Sequence, residues 1–347
     1  MKHSKTACCL WSVWASNYMA SRGAIVRNLA SQFMTLAKEQ GATVPLMIGH
    51  RTMAISLAFT GDIAESRAHF DNAIALYNPA AHRPLATRFG QDAAVVAMSY
   101  RSHAVWYLGY PAAAQADAKQ ALSDAREIGQ ATMMFALSLT AATHIFVGNY
   151  TTANEQLKEL LSLADEKATL MWKGYGMASL GCLCAQTNKA SQAVQIITSA
   201  LAVARSVGAA ILMPWNLSNL ARAHAELGEF DDALRCIAEA IAAIEGSEER
   251  WMEPEVHRIA GEISLRSPER DGAKASAHFE RALEVARKQK AKSWELRAAM
   301  SLARLWRDRG RRDEARELLA PVYGWFTEGF DTIDLKEAKA LLGELAP

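Results

Sequence analysis

A small turn residue recurs along this chain at a nearly constant interval. Its positions are Gly61, Gly109, Gly148, Asn188, Gly228 and Gly310. The successive gaps are 48, 39, 40 and 40 residues, followed by a double interval of 82 that contains a degenerate unit around residues 270–272. Self-similarity at such a period is typical of a repeat architecture, in which each unit packs mainly on its neighbours.

The unit from Pro214 to Ile244 shows what each repeat is made of. Pro214 can begin a helix, because the N–H that it lacks is not needed in the first turn. Gly228 can end that helix, because glycine adopts the left-handed conformation without a Cβ clash. Asp231 is predicted to cap a second helix by accepting hydrogen bonds from its free N–H groups. Each unit is therefore predicted to be a pair of antiparallel helices with short connections.

Residue size also repeats with the same period. Small residues recur five positions after the turn residue, at Ser66, Ala114, Ala153, Ala193, Ala233 and Ala315. Large apolar residues recur nine positions after it, at Phe70, Leu157, Ile197, Ile237 and Leu319. One helix pair cannot bury both of its apolar faces alone, whereas a stack of pairs can.

These patterns predict an all-α fold, an α-solenoid of about seven to eight antiparallel helix pairs with a C-terminal capping helix. Residues 1–347 would form a single helical-repeat array. Its units are predicted roughly at residues 8–41, 46–78, 92–129, 132–166, 172–208, 212–246, 252–290 and 293–328, with the cap at 333–346.

Residues 1–20 permit two interpretations. Lys2 and Lys5 precede the short apolar run "ACCLWSVWA", which weakly resembles a secretory signal. Trp11, Trp14 and Tyr18 keep helical spacing, which favours a first helix. Five cysteines in 347 residues are too sparse for a disulfide framework and favour a reducing compartment, so we expect a cytoplasmic protein. The chain has no run of 18 apolar residues, so we expect no membrane partner.

Motifs that carry chemistry are missing from the sequence. It contains no G-x-x-x-x-G-K-[ST], no G-x-S-x-G and no H-E-x-x-H, so we predict a protein that is not an enzyme and that has no catalytic, cofactor or metal site. Cys182 and Cys184 are interpreted as small buried apolar groups. His144 and His224 occupy equivalent positions on an apolar face and are interpreted as satisfied interior histidines.

Two units resemble the tetratricopeptide repeat family. The residues that carry this resemblance are Leu180, Gly181, Ala193, Ile197 and Ala200 in one unit and Gly228, Phe230, Ala233, Ile237 and Ala240 in the next. The units here are near 40 residues long, whereas that family typically has 34 per repeat.

The chain as a whole resembles the C-terminal helical-repeat region of bacterial multidomain signalling proteins. Those proteins carry a class III adenylate/guanylate cyclase domain or a winged-helix domain, and an AAA-type ATPase module, before the repeats. The stretches that carry this resemblance include "GHRTMAISLAFTGD", "ERWMEPEVHRIAGE" and "KSWELRAAMSLARLWRDRGRRDEARELL". The resemblance implies a bacterial sensor or adaptor region without catalysis of its own. The alternative is a truncated C-terminal region of a cyclase/ATPase protein whose catalytic domains are absent here.

A concave groove is the predicted binding surface, because first helices line the concave side of tetratricopeptide-like stacks. The resemblance maps groove positions onto Arg51, His103, Tyr107, Trp215, Arg222, Arg258, Glu262, Arg304 and Arg307. Several arginines facing one groove would suit a carboxylate-bearing peptide. The predicted function is therefore a non-catalytic scaffold for a protein or peptide partner, and no small molecule is indicated. Ordinary solvated surface is the alternative, and the long loop at residues 77–92 is a second candidate binding feature.

A basic stretch from Arg287 to Arg316 holds eleven Lys or Arg residues against four Asp or Glu residues. A nucleic-acid surface is one alternative for it, but Asp308 and Asp313 interrupt the positive run and no helix-turn-helix is evident. We interpret it as the solvated face of the last repeat, in which Gly310 is the turn and Asp313 the helix cap. The aromatic residues that follow are expected to cover the open end of the stack, and they are Tyr323, Trp325, Phe326 and Phe330.

Overall fold

The computed structural model describes residues 2–346, with side chains from residue 9 onward except those of residues 88 and 89. Within this part of the chain the fold is all helical, as predicted. Eight helix pairs follow one another, and they are α1 (Lys2–Met19) with α2 (Gly23–Gln40), α3 (Thr43–Thr60) with α4 (Ile63–Ala75), α7 (Ala93–Tyr107) with α8 (Pro111–Ile128), α9 (Gln130–Phe146) with α10 (Tyr150–Glu166), α11 (Leu170–Gln186) with α12 (Ala190–Ser206), α13 (Met213–Leu227) with α14 (Phe230–Ser247), α15 (Glu253–Arg266) with α16 (Gly272–Lys288), and α17 (Lys292–Asp308) with α18 (Arg312–Gly324).

Three short helical segments and one further helix complete the chain. The loop between the second and third pairs contains α5 (Pro79–His82), a 3₁₀ turn at Arg83–Leu85 and α6 (Ala86–Phe89). The last helix, α19 (Ile333–Glu344), packs on α17 and α18. Among the described residues, no helix combines the length and the apolar character that a bilayer span requires.

The turn residues adopt the conformation that the sequence pattern predicts. Gly228 ends α13 with φ of 81°, and its substitute Asn188 has φ of 56°. The degenerate unit places Arg270 at the turn with φ of 43°. The left-handed region is open to glycine without penalty and is tolerated by asparagine, so the repeated turn fixes the reversal of the chain in each pair.

The prediction that Asp231 and Asp313 are helix caps is wrong, because neither residue occupies the capping position. The second helices begin two residues after the turn glycine, so Asp231 lies in the first turn of α14 and Asp313 in the first turn of α18. Among the described second helices, Asn149 and Asp271 do accept backbone hydrogen bonds as caps. An acidic residue in a first turn still favours the helix, because it faces the positive end of the helix dipole.

The residues of alternating size that follow each turn residue lie in the core. Ser66, Ala233 and the other small positions are fully buried between the helices of each pair, and so are the large residues four positions later. Ser66 satisfies its hydroxyl by donating to the carbonyl of Ala54 at 2.7 Å. Small residues at these sites let two helices approach closely, and the large residues fill the space toward the next pair.

The solenoid winds so tightly that its successive turns touch. The carbonyl oxygen of Met19, at the end of α1, accepts a hydrogen bond of 3.0 Å from the N–H of Ala210, just before α13. The carbonyl of Phe59, at the end of α3, accepts one of 2.9 Å from the N–H of Arg250, before α15. The carbonyl of Trp106, at the end of α7, accepts one from the Ser293 hydroxyl of α17. Pairs one, two and three therefore meet pairs six, seven and eight, which corresponds to about five pairs per superhelical turn.

The C-terminal aromatic segment packs on the core of the last pair, where Phe326 is buried, but it also contacts the third pair, which the sequence pattern does not predict. The ring of Trp325 lies 5.4 Å from that of Tyr110, and Glu328 accepts a hydrogen bond of 2.9 Å from the N–H of Ala113. Phe330 stays half exposed. The segment thus docks on the start of α8, because the superhelical turn brings the third pair beside the eighth.

Candidate functional site

The first helices of the first superhelical turn, together with α13 at the start of the second turn, enclose a cavity of about 290 Å³. Its walls come from α1, α3, α7, α9, α11 and α13, together with the residues just before α7, α13 and α15. Each wall helix presents one face at helical spacing. On α7 this face is Val96, Tyr100, His103 and Tyr107.

Twelve of the 29 residues that line the cavity are aromatic. The rings belong to Trp11, Trp14, Tyr18, Phe59, Tyr100, Tyr107, Phe135, Phe146, Trp172, Tyr175, Trp215 and Trp251. Several of these rings are fixed by hydrogen bonds. Trp14 Nε1 donates to Ser56 Oγ at 2.9 Å, and the hydroxyls of Tyr18 and Tyr100 lie 3.2 Å apart. Such rings offer a large apolar surface with little conformational freedom to lose on binding.

The floor of the cavity is an aromatic cluster at the junction between superhelical turns. The ring of Phe146 lies 5.5 Å from that of Trp215, and the ring of Tyr107 lies 5.6 Å from that of Trp251. Behind them, Trp106 and Trp294 meet at 4.6 Å. Because these side chains come from both turns, the cavity depends on the closure of the superhelix.

Arg51 is a cationic side chain in the cavity wall. It is 3% exposed, and its Nη1 atom has no hydrogen-bond partner among the described residues. Burial lowers the pKa of its guanidinium to about 10, and the nearby charge of Asp92 opposes that shift. Arg51 stays protonated at neutral pH, so it is a desolvated positive charge beside the cavity.

His103 is the other basic group of the wall. Its Nε2 lies 2.8 Å from the carbonyl oxygen of Leu139, so Nε2–H donates to that oxygen. Burial lowers the pKa of His103 to about 4. His103 is therefore neutral at pH 7, and its Nε2–H is already hydrogen-bonded to the Leu139 carbonyl.

The nine residues predicted for one groove fall into three places. Arg51, His103, Tyr107 and Trp215 line the cavity. Arg222, Arg258 and Glu262 lie in the second superhelical turn, in an ion-pair network with Glu255. Arg304 and Arg307 lie near the surface of α17, where they pair with Glu337 and Glu344 of α19. The nine residues are therefore spread over both superhelical turns.

The charges of the network in the second turn are paired, although Arg222 Nε has no hydrogen-bond partner among the described residues. Glu255 accepts from Arg258 at 2.7 Å and lies 3.3 Å from Arg222. Burial alone would raise the pKa of Glu255, but the charges of Arg258, Arg297 and Arg222 lower it to about 2. Paired and hydrogen-bonded charges of this kind join neighbouring first helices to each other.

The sequence interpretation missed most of the aromatic wall. Tyr100, Phe135 and Tyr175 lie 9, 13 and 13 residues before the turn residues Gly109, Gly148 and Asn188, and Trp215 lies 13 before Gly228. Part of the signal was therefore present in the repeat register, as aromatics 13 residues before three successive turn residues. It could be read only after the curvature had shown which offsets face inward.

The long loop at residues 77–92 contributes to the wall at its end. Gln91 lines the cavity. The Asp92 carboxylate accepts from the N–H groups of Ala94 and Val95 at 2.9 and 3.1 Å, and the Tyr77 hydroxyl donates to it at 2.5 Å. The loop is thereby tied to the start of α7.

The basic stretch from Arg287 to Arg316 is largely neutralised by acidic neighbours. Ion pairs join Arg287 and Lys292 to Glu295, Arg297 to Asp334, and Arg311 to Glu314. The helix α19 supplies several of the acids. This pairing favours the solvated-face interpretation over a phosphate-binding surface.

The interpretation as a satisfied interior group is wrong for His144, whereas His224 has a hydrogen-bonding partner. The Nδ1 atom of His224 lies 2.6 Å from a carboxylate oxygen of Glu229, near Asp232. His144 is buried, and its Nδ1 has no partner among the described residues. Cys182 and Cys184 are buried, and burial raises the pKa of both thiols.

Comparison with known families supports the repeat assignment. Two tetratricopeptide-repeat family models match, one over residues 214–239 and one over residues 296–323. These segments fall within the sixth and eighth helix pairs. No curated protein matches the chain in sequence.

Several solved structures share this architecture. A Rap protein solved with competence and sporulation factor has a TM-score of 0.62 at 11% identity, covering 98% of this chain and 97% of its own. The Rap conjugation gene regulator of plasmid pLS20, solved with the Phr* peptide, has a TM-score of 0.57 at 8% identity, covering 88% and 78%. Aspartyl phosphate phosphatase F from Bacillus subtilis has a TM-score of 0.52 at 13% identity, covering 88% and 76%. At these identities the likeness shows the fold.

Proposed function

We propose that this chain is a non-catalytic scaffold that binds a peptide or protein partner in the cavity of its first superhelical turn. The observation that carries the proposal is the convergence of aromatic rings from six elements on one space of about 290 Å³. Concave sites with apolar walls and few polar groups are where proteins bind ligands. A space of this size accepts one or two large side chains, so the partner would insert an end or a short extended segment.

The chemistry of the wall supports binding rather than catalysis. The described lining contains no carboxylate and no cysteine. Its histidine is neutral and hydrogen-bonded, so it is poorly placed to take up a proton. Because one structural neighbour is an aspartyl phosphate phosphatase, phosphate release from acetyl phosphate is the direct check of this part of the proposal. Turnover by the purified chain would contradict it.

A regulatory role is the setting that we propose for this binding. It rests on the resemblance to the repeat regions of bacterial signalling proteins and on neighbours solved with competence and sporulation factor and with the Phr* peptide. As part of the same proposal we place the protein in the bacterial cytoplasm, which fits its sparse cysteines. The intact mass of the native protein tests the setting. A mass near 37.9 kDa indicates a separate adaptor, and a much larger mass indicates the arm of a cyclase/ATPase protein.

A cavity-filling variant tests the binding site. Ala142 lines the cavity, so Ala142→Trp should occupy it, whereas Ala112 is exposed on the outer helix α8. Partners are captured by crosslinking in the native cells and identified by mass spectrometry. We expect Ala142→Trp to lose the partner that the wild type and Ala112→Trp both retain. Equal capture by all three proteins would refute the cavity as the binding site.

A further inference from the structure

We propose that the cavity binds a carboxylate carried on an apolar body, with the carboxylate paired to Arg51. The inference rests on the proposed function and specifies the chemistry of the ligand. It can be correct only if the cavity is the binding site.

Arg51 has the properties of an ion-pair partner that lacks its counter-ion. It lines the cavity, it is 3% exposed, and its Nη1 atom has no hydrogen-bond partner. Among the described residues, no ion pair joins a carboxylate to the Arg51 guanidinium, and Asp92 acts on it through charge alone, without a hydrogen bond. A buried cation without partners is costly, and a ligand that supplies them removes that cost.

The other arginines of the predicted groove differ from Arg51 in this respect. Arg222 and Arg258 pair with Glu255, Arg304 pairs with Glu337 at 2.8 Å, and Arg307 pairs with Asp308 at 2.9 Å. Each of these four arginines has a carboxylate partner within the chain. Of the five arginines, Arg51 is the one that lines the cavity, and it has no ion-pair partner among the described residues.

Asp92, the acidic group that acts on Arg51, already accepts hydrogen bonds from other residues. The negative charge of Asp92 raises the pKa of Arg51, so the two groups interact electrostatically. The Asp92 carboxylate nevertheless accepts from the N–H groups of Ala94 and Val95 and from the Tyr77 hydroxyl. These three donors hold Asp92 as the cap of α7 and leave the hydrogen-bonding capacity of Arg51 free.

The wall defines the rest of the ligand. Tyr18, Tyr100, Phe135 and Trp172 present apolar ring surface from four different helices. Among the described lining residues, Arg51 is the one that carries a positive charge at pH 7, which disfavours a doubly charged phosphate. A carboxylate can take two parallel hydrogen bonds from one guanidinium, so one arginine suffices for it.

Two sources share this chemistry. One is the C-terminal residue of a peptide with a large apolar side chain, and the other is a free aryl or alkyl carboxylic acid. Paired probes distinguish them. The peptide pair is N-acetyl-Gly-Gly-Phe with a free carboxylate and the same peptide with a C-terminal amide. The small-molecule pair is 3-phenylpropionate and 3-phenylpropionamide.

Binding of the four probes is measured by calorimetry and by tryptophan fluorescence of the full chain. We expect at least one acid to bind about tenfold to a hundredfold more tightly than its amide, which is the range for a hydrogen-bonded charge pair. Arg51→Met should abolish that preference, and Arg51→Lys should keep part of it. Arg304→Met, which removes a paired arginine outside the cavity, should leave it unchanged.

Stability measurements separate a binding role from a structural one. Removal of an unpaired buried charge should leave the thermal midpoint of ligand-free Arg51→Met equal to or above that of the wild type. If that variant does not fold, the acid-to-amide comparison on the wild-type chain still decides. Equal binding of acids and amides, or no binding of either acid, overturns the proposal.

This failure differs from failure of the proposed function. If Ala142→Trp loses the native partner while Arg51→Met retains it, the cavity is the binding site and the carboxylate inference is wrong. If Ala142→Trp retains the partner, the proposed function itself is wrong.

Discussion

The indole rings of Trp106 and Trp294 meet edge to face with their centroids 4.6 Å apart, although the two residues belong to the third and the eighth helix pairs. Both rings are almost fully buried, and Trp294 Nε1 donates to the carbonyl of Trp251 at 3.1 Å. This contact joins successive turns of the superhelix. A nearest-neighbour stack alone would not require it, so it identifies closure as a distinct source of stability.

Trp294→Ala should therefore lower the free energy of unfolding by about 3–5 kcal/mol, through the lost burial and the cavity that remains. Urea unfolding followed by circular dichroism measures the change. Trp306→Ala on the same helix is the matched control, because Trp306 is only partly buried and its Nε1 has no partner among the described residues. A loss at Trp306 as large as that at Trp294 would show that inter-turn contact adds nothing special.

The small residue five positions after each turn glycine sets the distance between paired helices. Ala233 is fully buried on α14, whereas Ala238 on the same helix is exposed. Ala233→Phe should overpack this contact and destabilise the protein by about 1–3 kcal/mol. Ala238→Phe should lie within about 0.5 kcal/mol of the wild type, as surface changes usually do. Thermal unfolding of both variants tests the register, and wild-type stability of Ala233→Phe would mean that the register is wrong.

Two glycines of α11 provide a second matched pair. A Cβ added at Gly181 would lie 2.6 Å from Cγ1 of Ile197, whereas a Cβ at Gly174 would meet nothing within 4 Å. Gly174→Ala should stabilise the protein by up to about 1 kcal/mol through helix propensity. Gly181→Ala should destabilise it, because Ile197 is fully buried and cannot move away freely. The sign of the difference in unfolding midpoint is the test, and equal shifts would contradict the close approach at Gly181.

The repeat itself could be predicted from the sequence because its physics is local. Gly228 needs a left-handed turn and Ala233 needs a close neighbour, and both needs recur with the period. The helix caps failed for a local reason too, since Glu229 occupies the capping position and Asp231 follows it inside the helix. A shift of two residues is enough to change a capping group into a first-turn group.

The site could be predicted only in part, because curvature is not local. His103, Arg222 and Arg304 share one position of the repeat, six residues before the turn glycine, but only His103 lines the cavity, because the number of pairs per turn decides which of them face a shared space. That number depends on contacts such as the hydrogen bond from the Arg250 N–H to the Phe59 carbonyl. The period of the sequence does not predict such contacts. Partner choice among arginines is similarly set by neighbouring helices, so the unpaired state of Arg51 is visible only in three dimensions.

Glu249 gives the fold a predictable pH dependence at the junction of turns. It is completely buried and accepts hydrogen bonds from Ser21 Oγ at 2.9 Å and from Trp251 Nε1 at 3.0 Å. Burial raises its pKa to about 7, and those hydrogen bonds limit the rise. The folded state therefore binds a proton that the unfolded state, with a pKa near 4.5, has already lost. The stabilisation associated with this proton is fully present below pH 4.5 and is lost as the pH rises through 7.

Glu249→Gln removes this titration while it keeps the shape and an acceptor oxygen. The quantity to compare is the free energy of unfolding of the wild type minus that of the variant, measured by urea titration at pH 5 and at pH 8. We expect the difference to fall by about 2–3 kcal/mol from the lower to the higher pH. Other groups, including His103 with its pKa of about 4, titrate equally in both proteins and cancel in the comparison. A difference that stays constant across this range would mean that Glu249 is ionised throughout and that its burial is compensated by groups other than the proton.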